Sequence, residues 1–108
     1  MVDIFLDTNI VIALFANESV VTDRLGEAEE VFVPSVVLGE LYYGARKSSG
    51  VKENVVRIDD FAVRNVVLGC DTETARRYGE AKNGLRQKGR PIPENDIWIA
   101  AITPFSTI

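Results

Sequence analysis

The chain has 108 residues, enough for one domain, and its 46% hydrophobic and 26% charged content supports a packed core rather than a disordered tail. It has no histidine and a single cysteine, Cys70, which excludes Ser-His-Asp and Cys-His nucleophilic sites, Cys/His zinc centres and an intrachain disulfide. The net charge of -4 argues against a protein that simply coats nucleic acid, and no apolar run approaches the roughly 20 residues needed to cross a bilayer.

Residues 2–6, VDIFL, read as a short buried strand, followed by a polar turn at Asp7-Thr8-Asn9 and a helix carrying IVIALF. No basic segment precedes this stretch, and Asp3 and Asp7 interrupt it, so no secretory leader is expected and a cytoplasmic protein is. Residues 20–30 read as a second, more polar helix. VFVP at 31–34 reads as a strand stopped by Pro34, with Ser35 in the N-cap position of the helix VVLGELYYGARKS. Residues 51–64 fit another helix. NVVLGC at 65–70 reads as a third strand, which makes Cys70 a core or strand-end thiol. Asp71 then caps a long basic helix ending near Gly89. RPIPEND reads as a loop, and IWIAAI starts a last helix. Strands alternating with helices predict one α/β domain with a mostly parallel sheet over residues 1–102, leaving 103–108 as a short irregular tail.

Charge is uneven along the chain. Residues 1–70 hold 11 acids and 6 bases, whereas residues 71–90 hold 6 bases and 3 acids. A basic segment in an acidic protein suits a local phosphate contact or simply a solvated helix face.

Three carboxylates stand among apolar neighbours: Asp7 in VDIFLDTNIVIAL, Glu40 in VVLGELYY and Asp96 in DIWIAAI. An ionised carboxylate in a dry setting costs several kcal/mol unless compensated. Each has a plain reading. Asp7 suits a helix N-cap, Glu40 suits pairing with Arg46, and Asp96 suits capping the helix that follows it. Together they point elsewhere. Ligand sites of open parallel sheets lie beyond the carboxyl ends of the strands, and all three acids fall after a strand or at a loop that can reach that edge. Three carboxylates without a base repel one another. A hard divalent cation, Mg²⁺ or Mn²⁺, resolves this with oxygen ligands and works with phosphate groups.

FLDTNIVIAL, PSVVLGELYYGARKS and IPENDIWIAA, in that order, resemble the three blocks of PIN-domain ribonucleases, above all the toxin component of VapBC toxin–antitoxin pairs. The resemblance covers about residues 2–102. It implies a three-layer α/β/α fold and Mg²⁺- or Mn²⁺-dependent endoribonuclease activity on RNA, neutralised by a cognate antitoxin. Carried over by position, Asp7, Glu40 and Asp96 match the acidic metal ligands. Thr8 and Asn9 match the polar residues after the first acid, in a supporting role at its carboxylate or the turn. Arg76, Arg77, Lys82 and Arg86 become the expected RNA contacts, and the helix around ELYYGARKS an expected antitoxin groove with Tyr42 and Tyr43 as anchors.

One departure stands out. The family usually carries a fourth aspartate in a terminal strand and helix, whereas no acid follows Asp96 here. The expectation is therefore a sheet lacking that last strand, an exposed first strand, a homodimer or a segment borrowed from another chain that covers it, and a site favouring one metal. Two other readings stay open. One is an aspartyl-phosphate enzyme of the haloacid dehalogenase type, against which Asn9 stands where a second aspartate belongs. The other is a shortened, non-catalytic module that binds an antitoxin or forms an oligomer.

Overall fold

A computed structural model describes residues 2–18, 23, 26 and 28–102. It shows three strands, β1 (Val2–Phe5), β2 (Ala28–Pro34) and β3 (Val66–Leu68), and five bounded helices, α1 (Thr8–Phe15), α2 (Ser35–Arg46), α3 (Val51–Arg64), α4 (Thr72–Gln87) and α5 (Glu94–Ile102). The strands pair in parallel in the order β1-β2-β3. The α/β fold expected from the alternation is therefore observed, with β1 on an edge among the described residues. Ile4 lies opposite Val31 and Phe5 opposite Phe32, after an irregularity between Val2 and Asp3, while Phe32 and Val33 pair with Val66 and Val67.

Several boundaries differ from expectation; β3 covers only 66–68 of the expected 65–70, and two others have a plain physical reason. β2 begins at Ala28, so Glu29 and Glu30 belong to the sheet and not to a polar helix. Of the rest of that expected helix, Asp23 and Gly26 are helical and the other residues lie outside the described set, as does the tail at 103–108. Ser35 is the first residue of α2 and not its cap. Pro34 takes the cap position in extended backbone (φ -63°, ψ 140°), with no side-chain hydrogen bond, because the proline ring fixes φ and the strand runs straight into the helix.

The core lies where α2 and α3 meet the sheet. Leu6, Val11, Val33, Val37, Leu41 and Ile58 are buried, and Phe61 closes the layer by meeting Phe15 edge-on at 5.5 Å. Three side-chain ties fix the helices around it. Arg57 lies 4.4 Å over the Phe15 ring and donates to the Phe15 carbonyl, satisfying the end of α1. The Tyr42 hydroxyl on α2 donates to Asp59 on α3 at 2.5 Å. That bond, then burial, then the nearby negative charge hold the Tyr42 phenol above its ordinary value. α5 is held to α4 by the Tyr78–Trp98 stack at 3.8 Å and by Arg77, whose Nε donates to the Ala101 carbonyl at 2.9 Å.

α4 has both predicted ends. Asp71 caps it by accepting from the Thr74 N–H at 2.8 Å and the Thr74 hydroxyl at 2.9 Å. The other end closes at Gly89 (φ 66°), where the Arg90 N–H returns to the Leu85 carbonyl and the Gly89 N–H to that of Arg86, a left-handed closure for which glycine carries no Cβ penalty. The two bonds from Thr74 lower the Asp71 pKa below its ordinary 3.8, the backbone bond most. A carboxylate with a lowered folded pKa contributes stability above its unfolded value and loses it as pH falls through the folded value. Asp71→Ala is therefore expected to lower the melting temperature near neutral pH. The gap between parent and variant should close progressively below the ordinary 3.8, as measured by melts across a pH series.

No helix among the described residues is long and apolar enough to cross a membrane. Cys70 is exposed beyond β3, which places it at the strand end and outside the core.

Candidate functional site

Because the strands are parallel, their carboxyl ends share one edge of the sheet. Asp7 follows β1 at that edge. Its backbone is extended (φ -100°, ψ 176°) and its Oδ1 accepts the Ile10 N–H at 2.9 Å, so it caps α1. The cap uses one carboxylate oxygen only, which makes capping and ligand binding compatible.

Glu40 lies midway along α2 and is half-buried. Val37 and Leu41 point to the core on one side of it and Tyr43 to solvent on the other, 65% exposed. Its carboxylate is held from two directions. The Thr8 hydroxyl donates to Oε1, and the Asn95 amide nitrogen donates to Oε2 at 3.3 Å. Thr8 adjoins Asp7 and Asn95 adjoins Asp96, so these two bonds bring the three acid-bearing segments to one place.

Asp96 sits in the first turn of α5, which begins at Glu94 rather than after the loop. Its N–H and that of Ile97 reach the Pro93 carbonyl at 3.0 and 3.3 Å. The chain from Glu94 onward is thus helical because Pro93 supplies the acceptor for the first turn.

The apolar sequence settings of Asp7 and Asp96 do not translate into burial: both side chains are exposed. Their apolar neighbours Leu6, Val11 and Ile97 turn into the core, and the acids turn away from it. Glu40 does not pair with Arg46 among the described residues. The resemblance gives Thr8 a supporting role at the Asp7 carboxylate or the turn; its hydroxyl donates to Glu40. Asn9 is exposed. Asn95 is the residue that sequence reasoning misses. It is 55 positions from Glu40, and its one signal is its place beside Asp96.

The donor set fits a hard cation in chemistry. It consists of carboxylates, and neither of the ion pairs found among the described residues, Arg76–Glu73 and Lys82–Glu94, involves Asp7, Glu40 or Asp96. In geometry the acids stand apart: among the described residues no three ligating side chains occupy metal-holding positions. The Asp7 and Asp96 side chains are exposed, whereas Glu40 is half-buried and held by its two donors.

The basic helix flanks this edge through its packing on α5. Its four expected contacts differ in availability. Arg77 is half-buried on the Ala101 carbonyl. Lys82 bonds Glu94 at 3.2 Å and lies 5.6 Å from the Tyr78 ring centre. Arg76 pairs with Glu73 at 2.5 Å on an open surface, a contact worth little in water. Arg86 is exposed, with no ion pair among the described residues. A groove of about 220 Å³ runs between α1, α2 and α3, lined by Ile12, Phe15, Leu41, Gly44 and Ile58, with Thr8 and Glu40 on its wall. On the solvent side of α2 the Lys47 ammonium lies 4.5 Å over the Tyr43 ring.

The PIN domain family matches residues 4–103. Ribonuclease VapC2 of Haemophilus influenzae is 38% identical over 103 residues, which cover 94% of this chain and 78% of the relative. The tRNA(fMet)-specific endonuclease VapC of Shigella flexneri is 35% identical over 102 residues, 93% of this chain and 77% of the relative. Among solved structures, DNA-bound VapBC from Salmonella typhimurium superposes with a TM-score of 0.84 at 30% identity, covering 94% of this chain and 78% of that one. With the fold, the order of the three acidic blocks and these matches in agreement, the chain belongs to the PIN-domain family, in its VapC ribonuclease branch.

Proposed function

We propose that this protein is a divalent-cation-dependent endoribonuclease, the toxin of a toxin–antitoxin pair, working in the cytoplasm where its RNA substrate is. Asp7, Glu40 and Asp96 are the acids that hold Mg²⁺ or Mn²⁺. The observation that carries this reading is the double hold on Glu40, by Thr8 and Asn95, the neighbours of the other two acids. The relatives' names, ribonuclease and tRNA(fMet)-specific endonuclease, support the reaction class, and the VapBC structures support an antitoxin partner. A requirement for a divalent cation is general among PIN-domain ribonucleases.

When bound, the cation supplies Lewis-acid polarisation of the phosphodiester and an acidified water. The chain's own residues do the rest. Asp7 presents one carboxylate oxygen while the other keeps α1 capped. Glu40 is held in one orientation, so less side-chain freedom is lost when the site closes. Asp96 projects from the start of α5, where the helix dipole favours an anion. Arg86, with the loosely paired Arg76, meets the RNA backbone. The groove beside Glu40 takes an apolar antitoxin segment, and Tyr43, exposed on the same helix, offers it an aromatic contact outside the groove.

The test uses purified protein free of antitoxin and a circular RNA, which only an endonuclease opens. Cleavage should require Mn²⁺ or Mg²⁺ and stop with EDTA. Failure to cut any RNA in Mn²⁺ overturns the reading. Arg86→Ala should weaken binding of single-stranded RNA and reduce the slope of log affinity against log salt by about 0.7, the value for one phosphate contact. Binding measured at several salt concentrations gives that slope.

The separation of the three acids from metal-holding positions favours a second reading, a non-catalytic module that only binds its antitoxin. Thermal melts separate the two. A rise in melting temperature with Mn²⁺ that EDTA reverses supports the nuclease, and no rise at high Mn²⁺ supports the module.

A further inference from the structure

We infer that Asn95 is a positioning residue for Glu40, and that with Thr8 it forms a two-armed amide–hydroxyl hold that sets how tightly the site takes its cation. The inference deepens the nuclease reading and rests on it.

Glu40 is the one acid of the three that comes from the middle of a helix. The Asp7 carboxylate is tied to its own helix by the cap and Asp96 has the shorter side chain of an aspartate, but a glutamate has three rotatable side-chain bonds and no local anchor. Left alone it would sample many rotamers, and ordering it would weaken cation binding. The Thr8 hydroxyl fixes one oxygen and the Asn95 amide the other. Each oxygen of a carboxylate accepts more than one bond, so both stay able to face a cation or its water. The two donors are neutral. They satisfy the anion without competing as ligands through charge, which a lysine or arginine in either place would do.

The chain positions make the hold a coupling as well. Asn95 precedes Asp96 on α5, and α5 is fixed to α4 by the Tyr78–Trp98 stack and the Lys82–Glu94 pair. The amide therefore aligns Glu40 with the element that carries Asp96. Thr8 does the same for the element that Asp7 caps.

The experiment is a Mn²⁺ titration by calorimetry on the antitoxin-free protein, comparing the parent, Asn95→Ala, Glu40→Gln and the double variant, with melts in EDTA as a folding check. Asn95 is exposed, and alanine suits a helix, so the variant should stay folded in EDTA, with no more than a small drop in melting temperature from the lost Glu40 bond. Asn95→Ala is expected to weaken Mn²⁺ binding about tenfold or more, the usual effect of removing an outer hydrogen-bond partner. It should add little once Glu40→Gln is present, because its action runs through that carboxylate. Asn95→Gln, with the amide on a longer arm, should bind between alanine and parent. Unchanged Mn²⁺ affinity in Asn95→Ala, or an equal loss with and without Glu40→Gln, overturns the role of Asn95 and leaves the nuclease reading standing. A parent that binds no Mn²⁺ overturns both.

Discussion

Asp96→Asn is expected to reduce Mn²⁺-dependent RNA cleavage by at least about a hundredfold, the upper end of what losing even an outer partner does at a metal site. Asp7→Asn should do the same. Both substitutions keep shape and remove charge, so the loss falls on cation binding and not on packing. Asparagine caps helices about as well as aspartate, so α1 keeps its Ile10 contact in Asp7→Asn. In the metal-free protein both variants should melt close to the parent, because both side chains are exposed and asparagine keeps their shape. The pattern sought is thus lost cleavage, lost stabilisation by Mn²⁺ and an unchanged melt in EDTA. A variant that cuts RNA as fast as the parent removes that aspartate from the site.

How much of this is legible in the sequence depends on the range of the interaction. α3 is legible at its observed bounds because Val55, Ile58 and Phe61 recur on one helical face. α4 is legible because its cap and its closing glycine are local devices, Asp71 and Gly89. The start of β2 is not, because Glu29 and Glu30 mask the apolar alternation that marks a strand, and their inclusion depends on pairing with β1. Ser35 differs by one position because the cap rule prefers serine, while the proline before it already supplies the extended backbone.

The site divides in the same way. The acids are legible as residue types in the right order, but their exposure is not. A helix places residues one apart on different faces, so an apolar run says little about which way its lone acid turns. Val37 and Leu41 face the core while Glu40, between them in sequence, reaches Thr8 and Asn95. The Asn95 bond joins two helices far apart in the chain, and only the fold reveals it. The basic helix shows the converse case. Counted by charge, its four bases are equal; in space Arg77 is committed to the end of α5 and Arg86 is exposed, with no ion pair among the described residues.

Phe61→Ala is expected to be the most damaging single change outside the site. Phe61 is buried on α3 and meets Phe15 edge-on. Truncating a buried phenylalanine costs about 3–5 kcal/mol through lost transfer energy and the cavity left behind, against a total of about 5–15 kcal/mol for a domain. The melting temperature should therefore fall by about 10–20 °C, at roughly 4 °C per kcal/mol for a chain this size. Phe61→Leu, which keeps most of the volume, should lose about 1.5 kcal/mol or less. Val63→Ala, two residues along the same helix but 86% exposed, should stay within about 0.5 kcal/mol of the parent. Denaturant melts on the three variants test the series, and equal losses at positions 61 and 63 would contradict the assigned core. Phe61 belongs to the core cluster and is no part of the proposed site, so at low temperature the folded fraction of Phe61→Ala should still bind Mn²⁺ as the parent does. Loss of stability and loss of metal affinity are thus separable in this protein, and the Phe61 and Asp96 variants should fail in opposite assays.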